Sequence, residues 1–399
     1  MVLFENFRLC DREGIWCMGV KDGVIASLEK GKKEKFSKIY DLNGNYLLPG
    51  FVDAHMHFSL FVALFPVGIT ENPVMQNVSA SLKGDFLKAQ KTLLSMGITS
   101  VSDMGVDFDI LQLYRDIEEA DQLKIRVNLY LFEECLEAKE KIMDEMKKGK
   151  LARVRGLKLF SDGTFGASTG ALFEEYSDDP GNIGVLTPLE KLENFVKNAE
   201  DLGMQVAIHA IGDRGLLNAL SALSKAKKLR HRVEHVQLVN ENLLKMMEEL
   251  DVVAVVQPIS IKSDSSWVES RLGKRRINHA YPLKSLIDHN IKIAGSSDCP
   301  VETQDPFLGI YFASADRDLE GNDLPEWVRK ERIGIMDALS IFTEGGAYAL
   351  HENKGKIREG MLADFIVLPE NPLEMGVEEI KEIKVLKTFV DGELVYSSN

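Results

Sequence analysis

The feature that most constrains the fold is an alternation of eight short apolar, β-prone runs with segments of helical periodicity. The β-prone runs are residues 47–52, 98–102, 125–131, 156–160, 205–208, 232–236, 252–256 and 291–294. Eight strands that alternate with helices over roughly 300 residues predict an α/β fold, a closed (β/α)₈ barrel. An open, doubly wound sheet is the runner-up, but no G-x-G-x-x-G motif follows an early strand.

Both ends of the chain have a different character, because they consist of β-prone runs separated by turn signals. Asp22-Gly23 and Asp391-Gly392 are favoured hairpin dipeptides in these two regions. Chain termini usually lie close together. We therefore expect a small β-sandwich domain composed of residues 1–49 and 356–399, attached to a catalytic barrel domain of residues 50–355.

Composition excludes several classes of function. The 399 residues include 48 basic and 62 acidic side chains, a formal net charge of −14, which argues against nucleic acid or an anionic membrane as the main partner. No run approaches the ~18 apolar residues of a membrane span, and the first residues lack the basic region of a signal peptide. The four cysteines are scattered and form no C-x-x-C pair. We expect a cytoplasmic protein that acts on a small molecule.

Two histidines follow the first barrel run. His55 and His57 are two residues apart, so on a strand both imidazoles project from the same face. A His-x-His pair alone is as readily a surface or packing pair as a metal site. The position favours the metal site, because functional residues of (β/α)₈ barrels lie at the carboxyl ends of the strands.

Three further runs end in residues that can bind a metal ion. They are His209 after the fifth run, His235 at the end of the sixth and Asp298 after the eighth. A single histidine at a strand end is more often a structural residue, but several in one topological position are much less expected by chance. Imidazole nitrogens and a carboxylate suit Zn²⁺ or a similar divalent ion.

Lys158 lies among apolar residues in the fourth run. The plainer interpretation is a strand lysine whose ammonium reaches solvent. Inside a barrel, however, the ammonium would tend to lose its proton. A neutral amine can add CO₂ to form a carbamate, and the two carbamate oxygens could bridge two metal ions.

Three other residues are candidates for substrate contacts. Asp162 precedes a glycine-rich loop, residues 163–170, and Thr169 lies within it. The loop lacks the Gly-Lys-Ser/Thr of a phosphate-binding loop. Gln257 ends the seventh run, where it could hydrogen-bond a substrate or satisfy the strand end. His231 has no neighbouring ligand pattern, and we expect it outside the site.

Together these motifs resemble a known family. The segments that carry the likeness are residues 48–57, 98–105, 158–164, 209–213, 234–235, 295–301 and 360–365. The chain resembles the amidohydrolase superfamily, and within it the YtcJ-like branch that includes N-substituted formamide deformylase. The likeness covers nearly the whole chain and implies a distorted (β/α)₈ (TIM) barrel with a β-sandwich built from both termini.

The resemblance also implies a binuclear metal centre. His55 and His57 would bind the more buried ion, and His209 and His235 the other. Carboxylated Lys158 would bridge the two ions, and Asp298 would complete the ligand set. Members of this branch commonly carry a long insertion between the first two strands, for which residues 58–97 are too short. A homodimer is common among such barrels.

The implied reaction is hydrolysis of a non-peptide C–N bond in an amide, N-acyl or N-formyl amine. By that resemblance, a metal-bridging hydroxide would attack the carbonyl carbon, and Asp298 would serve as general acid/base. One alternative is a mononuclear deaminase of a heterocyclic amine, which typically has a glutamate three residues after the fifth-strand histidine, where this chain has Gly212. The other is a non-catalytic barrel, which typically lacks some of the ligands.

Overall fold

The computed structural model describes residues 1–31, 38–64, 82–227 and 229–398, and two eight-stranded sheets organise them. One sheet contains β6 Phe51–Met56, β7 Ile98–Val106, β8 Arg126–Leu131, β9 Ala152–Phe160, β10 Gln205–Ala210, β11 Arg232–His235, β12 Val253–Val256 and β13 Lys292–Gly295. The other contains β1 Val2–Leu9, β2 Arg12–Lys21, β3 Val24–Lys30, β4 Lys38–Asp41, β5 Tyr46–Pro49, β14 Phe365–Leu368, β15 Lys387–Val390 and β16 Glu393–Ser397.

The first of these sheets is a barrel. Its strands pair in chain order from β6 to β13, and every pairing is parallel. The two ends of the sheet meet just beyond β13, where the Asp298 amide donates to the His55 carbonyl at 2.8 Å and the His57 amide donates to the Cys299 carbonyl at 2.7 Å. The predicted (β/α)₈ barrel is thus confirmed, and all eight predicted runs overlap its strands.

The first predicted run was wrong in its bounds. Residues 47–52 belong to two strands in different sheets, because β5 pairs antiparallel with β14 whereas β6 pairs parallel with β7. The chain passes between the sheets at Gly50, where a Cβ would lie 2.4 Å from the Thr99 side chain. Both strands are apolar, so hydrophobicity did not separate them.

Helices cover the outside of the barrel and connect its strands. They are α1 Phe58–Leu64, α2 Leu82–Ser95, α3 Phe108–Glu119, α4 Lys139–Glu145, α5 Leu189–Asp201, α6 Asp213–Leu223, α7 Glu241–Leu250, α8 Ile261–Asp264, α9 Val268–Arg276, α10 Leu283–Asp288, α11 Pro306–Ser314, α12 Glu326–Glu331, α13 Ile335–Ser340, α14 Gly346–Ala349 and α15 Val377–Ile380. The Asp107 and Asn240 side chains cap the N-termini of α3 and α7 by accepting backbone N–H bonds. Amphipathic helices of this kind bury aliphatic side chains against the strands.

The second sheet is built from both chain ends. Its order is β16-β15-β14-β5-β1-β2-β3, with β4 paired to β1. Phe4, Phe365 and Phe389 are fully buried between its strands, with ring centroids 4.7–5.1 Å apart. A separate sheet formed by the termini agrees with the predicted fold class, while the domain limits 1–49 plus 356–399 and 50–355 stay a prediction.

A buried ionic cluster joins the two sheets. The Asp364 carboxylate accepts two hydrogen bonds from Arg126, at 2.7 and 3.0 Å, and one from the Lys354 ammonium at 2.9 Å. Arg126 begins β8 of the barrel, whereas Asp364 directly precedes β14 of the terminal sheet. These ion pairs therefore connect the two sheets at the amino-terminal end of β8.

Two further sequence predictions concern the surroundings of the barrel. Within the described part of the chain, no helix has both the length and the apolar character that a bilayer crossing requires. The absence of the long insertion was predicted from the short connection between β6 and β7. Residues 65–81 of this connection lie outside the described residues.

Candidate metal centre

The predicted ligands meet at one end of the barrel. His55, His209 and His235 lie at the carboxyl ends of β6, β10 and β11, and Asp298 follows β13 by three residues. Because all eight strands are parallel, their carboxyl ends share one face, which is where (β/α)₈ barrels place their functional residues.

A carboxylate oxygen of Asp298 stands at the centre of the group. It lies 3.3 Å from His55 Nε2 and 3.4 Å from His57 Nε2. His55, His235 and Asp298 each offer one ligand atom within 4.8 Å of the others. Among the described residues, both His55 Nε2 and Asp298 Oδ1 are buried without a hydrogen-bond partner. Buried polar atoms are rarely left unpaired, so two of them facing each other fit a bound cation.

Each of the four imidazoles has one ring nitrogen tied to a hydrogen-bond acceptor. The pairs are His55 Nδ1 with Glu234 Oε2 at 2.5 Å, His57 Nδ1 with the Met104 carbonyl at 2.8 Å, His209 Nε2 with the Gly163 carbonyl at 3.0 Å and His235 Nδ1 with Gln257 Oε1 at 2.8 Å. These oxygens accept, so the bonded nitrogen carries a proton, and in a neutral ring the other nitrogen keeps its lone pair. In their neutral form, all four rings therefore present a lone pair suited to a metal ion.

Gln257 takes part in this orientation. Its amide nitrogen donates to Ser296 Oγ at 2.8 Å, and that hydroxyl donates in turn to the Val256 carbonyl at 3.0 Å. The amide oxygen of Gln257 consequently faces His235. Both ends of the amide are thus used to hold a candidate ligand, and the substrate contact predicted for Gln257 stays a prediction.

The second pair of histidines and Lys158 adjoin this group. The ring centroids of His209 and His235 are 4.4 Å apart, and those of His55 and His235 are 4.9 Å apart. The Lys158 side chain is buried, and its Nζ lies 4.9 Å from the centre of the Phe160 ring. The structure thus brings all six predicted ligands to one end of the barrel.

Burial controls the charge of these groups. It lowers the pKa of Lys158 to about 8, although the charges of Glu234 and Asp298 oppose the shift. Burial and the nearby Lys158 ammonium lower the pKa of His209 to about 3, so its ring is neutral. Burial would raise the pKa of Asp298, but the adjacent His55 and His57 rings hold it well below its usual range. A neutral His209 ring and an ionised Asp298 carboxylate are the protonation states that metal binding requires.

Three residues that support the site were missed from the sequence. Asp53 accepts hydrogen bonds from the Ser297 amide at 3.1 Å and the Ser297 hydroxyl at 2.5 Å, and so holds the turn that presents Asp298. Glu234 orients His55, and Arg232 pairs with Glu234 at 2.6 Å. Charged residues at alternate positions of β11 were the signal available, because alternate residues of a strand face the same side of the sheet.

Asp162 and Thr169 serve the loop that follows β9. The Asp162 carboxylate accepts hydrogen bonds from the backbone amides of Ile211, Gly212 and Ala171 at 2.8–3.0 Å. Burial raises the pKa of Asp162 to about 7. Thr169 Oγ1 accepts a hydrogen bond from the Thr164 amide at 3.0 Å. These contacts hold the loop against β10, and the predicted contacts of Asp162 and Thr169 with substrate stay predictions.

Comparison with known proteins gives consistent matches. The model of the Amidohydrolase family (Amidohydro_3) matches residues 64–396. The YtcJ protein of Bacillus subtilis is 30% identical over 337 residues, which are 83% of this chain and 63% of that protein. N-substituted formamide deformylase of Arthrobacter pascens is 22% identical over 319 residues, which are 76% of this chain and 58% of that enzyme.

Among solved structures, an uncharacterised metal-dependent hydrolase from Pyrococcus horikoshii aligns with a TM-score of 0.83 at 25% identity. The alignment covers 94% of this chain and 99% of that protein. By contrast, the match spans about three fifths of the length of the Bacillus subtilis and Arthrobacter pascens relatives.

Proposed function

Since this chain belongs to the amidohydrolase family, we propose that it is a metal-dependent hydrolase that cleaves a non-peptide C–N bond of an amide, N-acyl or N-formyl amine. The observation that carries the proposal is the hydrogen-bonding pattern of the four imidazoles. Each has one nitrogen held by an acceptor, and His55 faces a buried, unpartnered oxygen of Asp298. A packing role does not require this uniform arrangement, whereas metal binding does.

The donor set suits two divalent ions, and Zn²⁺ suits it best. His55 and His57 would hold one ion together with Asp298, and His209 and His235 the other. Lys158 would bridge them as a carbamate. The lowered pKa of Lys158, about 8, supports this role, because a neutral amine is the form that adds CO₂. Bound divalent ions lower the pKa of water towards 7 and polarise a carbonyl oxygen.

The remaining chemistry belongs to Asp298. Its Oδ1 is buried at the centre of the site and unpartnered within the described residues, so it is free to accept a proton. The same carboxylate can then deliver that proton to the leaving nitrogen. Positioned proton transfer of this kind typically contributes about 10²–10⁴ in rate.

One contact argues against the deaminase alternative. A Cβ at Gly212 would lie 2.0 Å from the Ala171 carbonyl oxygen, so the backbone leaves no space for a larger residue. The glutamate that such deaminases use three residues after the fifth-strand histidine therefore has no place here. Hydrolysis with Asp298 as the proton carrier is favoured over deamination.

The relatives suggest which substrates to try first. The name of the Arthrobacter pascens relative identifies N-substituted formamides as its substrates. We propose N-formyl amines as the first class, followed by N-acetyl and N-carbamoyl amines. This chain is much shorter than that enzyme, so the substrates of this protein have to be determined by experiment.

The test is to reconstitute the protein with Zn²⁺ and bicarbonate, count ions per chain, and measure amine release from these three classes. We expect two ions per chain and hydrolysis of at least one class, with both lost in Lys158→Ala. A fully active sample with one ion per chain would overturn the binuclear centre. Ammonia release from aminated heterocycles that survives Lys158→Ala would support the deaminase. No hydrolysis of any amide, ester or lactone would support the non-catalytic barrel.

A further inference from the structure

The barrel interior holds a charged pair directly beneath the candidate metal centre. Resting on the proposed function, we propose that the buried Arg232–Glu234 ion pair is a positioning unit that fixes His55 and makes its metal position the tighter of the two. Neither residue belongs to the six candidate ligands. Glu234 would act through His55, and Arg232 through Glu234.

Glu234 is committed to this task through both of its oxygens. Oε2 accepts from His55 Nδ1 at 2.5 Å and from Arg232 Nη2 at 2.9 Å, while Oε1 accepts from Arg232 Nε at 2.6 Å. All three side chains are fully buried. The His55 ring therefore has a single orientation, with Nε2 directed at Asp298. A carboxylate on the far nitrogen also makes the metal-binding nitrogen more basic.

Arg232 is itself held by other barrel strands. Nη1 donates to the hydroxyls of Tyr130 at 3.1 Å and Ser102 at 3.4 Å, and Nη2 donates to the Ala54 carbonyl. The guanidinium also lies 4.8 Å from the centre of the Tyr130 ring. Because Ala54 directly precedes His55, Arg232 fixes the backbone of the ligand as well as the carboxylate behind it.

The four histidines differ in what holds them. His57 and His209 are held by backbone carbonyls and His235 by a neutral amide, whereas His55 is held by a carboxylate. Hydrogen bonds to an ionised partner are roughly twice as strong as neutral ones. The metal position of His55 should consequently be the better ordered and the more tightly filled.

Stability does not by itself explain such a pair. The interior of a (β/α)₈ barrel is ordinarily filled with layers of branched apolar residues. Replacing a buried ion pair by apolar residues of similar volume is often neutral or stabilising. A charged pair at this depth is therefore accounted for by what it holds, which is His55.

The first test titrates metal-free Glu234→Gln with Co²⁺, using visible absorption for affinity and metal analysis for stoichiometry. Gln keeps the shape of Glu but removes its charge. We expect one of the two ions to bind about 10–100-fold more weakly, as for other partners of metal-bound histidines, and the second to bind as in the unmodified protein. The matched control is Glu200→Gln, which removes a carboxylate 3.4 Å from His231, outside the centre.

A second variant separates positioning from folding. In Arg232→Met/Glu234→Met the pair is replaced by apolar side chains, and we expect a cooperatively folded protein in which one ion binds about 10–100-fold more weakly, as in Glu234→Gln. Two ions bound by Glu234→Gln as tightly as by the unmodified protein, or an equal loss in Glu200→Gln, would overturn the inference. If the unmodified protein binds two ions but hydrolyses nothing, the proposed function fails while this inference stands.

Discussion

At the scale of single residues, Asp298 is both a candidate metal ligand and the proposed proton carrier. It adopts φ +59°, a left-handed conformation that non-glycine residues rarely take. The turn is held by Asp53 through Ser297, and by the bond from the Asp298 amide to the His55 carbonyl. Strain of this kind is found where surrounding contacts over-determine a functional position. Here they direct a carboxylate oxygen at two imidazoles.

We expect Asp298→Asn to lower kcat by about 10²–10⁴, because the amide can neither accept the proton nor carry the charge of the carboxylate. The measurement is steady-state hydrolysis of the best substrate by metal-loaded protein. Asp178→Asn is the control, since it alters an exposed carboxylate that pairs with Arg271 at 2.8 Å. An unchanged kcat in Asp298→Asn would remove Asp298 from the mechanism.

At the scale of elements, β10 and β11 are joined by a side-chain hydrogen bond as well as by their backbone hydrogen bonds. The His231 ring, next to β11, accepts a hydrogen bond from the Val206 amide of β10 at 3.0 Å through Nδ1. Only an unprotonated Nδ1 can accept, and burial lowers the pKa of His231. These two strands present His209 and His235, so the pair of strands that carries these two candidate ligands depends on a neutral histidine outside the site.

This dependence predicts a pH effect. The pKa of His231 is lower in the folded state than its unfolded value of about 6.5, so its contribution to stability is complete above that pH and is lost as the pH falls below it. Relative to His231→Asn, the unmodified protein should lose up to ~1.4 kcal/mol of unfolding free energy per pH unit in that range. Urea unfolding at several pH values between 5 and 7.5 measures this difference. Parallel curves for the two proteins would contradict it.

At the scale of the whole molecule, the terminal sheet and the barrel share charged groups. Asp364 is fully buried between Arg126 and Lys354 and also accepts from the Asp391 amide at 2.8 Å. Burial would raise the pKa of Asp364, but these two cations lower it. The stability that the carboxylate contributes is therefore present at neutral pH and lost only in strong acid.

Asp364→Asn should destabilise the protein by about 3–5 kcal/mol, because Arg126 and Lys354 both lose the buried carboxylate charge that they share. Denaturant unfolding of the metal-loaded protein measures the loss. Asp323→Asn is the control, because Asp323 belongs to an exposed pair with Arg317 at 3.7 Å, and such pairs contribute less than ~1 kcal/mol. A loss no larger than that of the control would show that the cluster does not hold the two sheets together.

The sequence by itself was enough to predict the barrel, the sheet formed by both chain ends and the positions of the candidate ligands. Apolar periodicity and residue type are local properties, and they placed His209 and His235 at strand ends before any contact was known. The same local pattern merged β5 with β6, because both strands are apolar and only pairing separates them. The domain limits and the roles of the six ligands stay predictions.

Tertiary structure alone decided how the site is held. The acceptor of His57 lies 47 residues away and that of His55 lies 179 residues away, so no local pattern connects them. Those contacts determine which nitrogen of each ring keeps its lone pair. They also account for the two charged residues of β11, because Glu234 hydrogen-bonds His55 and Arg232 pairs with Glu234. Hydrogen bonds form between groups that the barrel brings together, and closure of the barrel is a property of the whole chain.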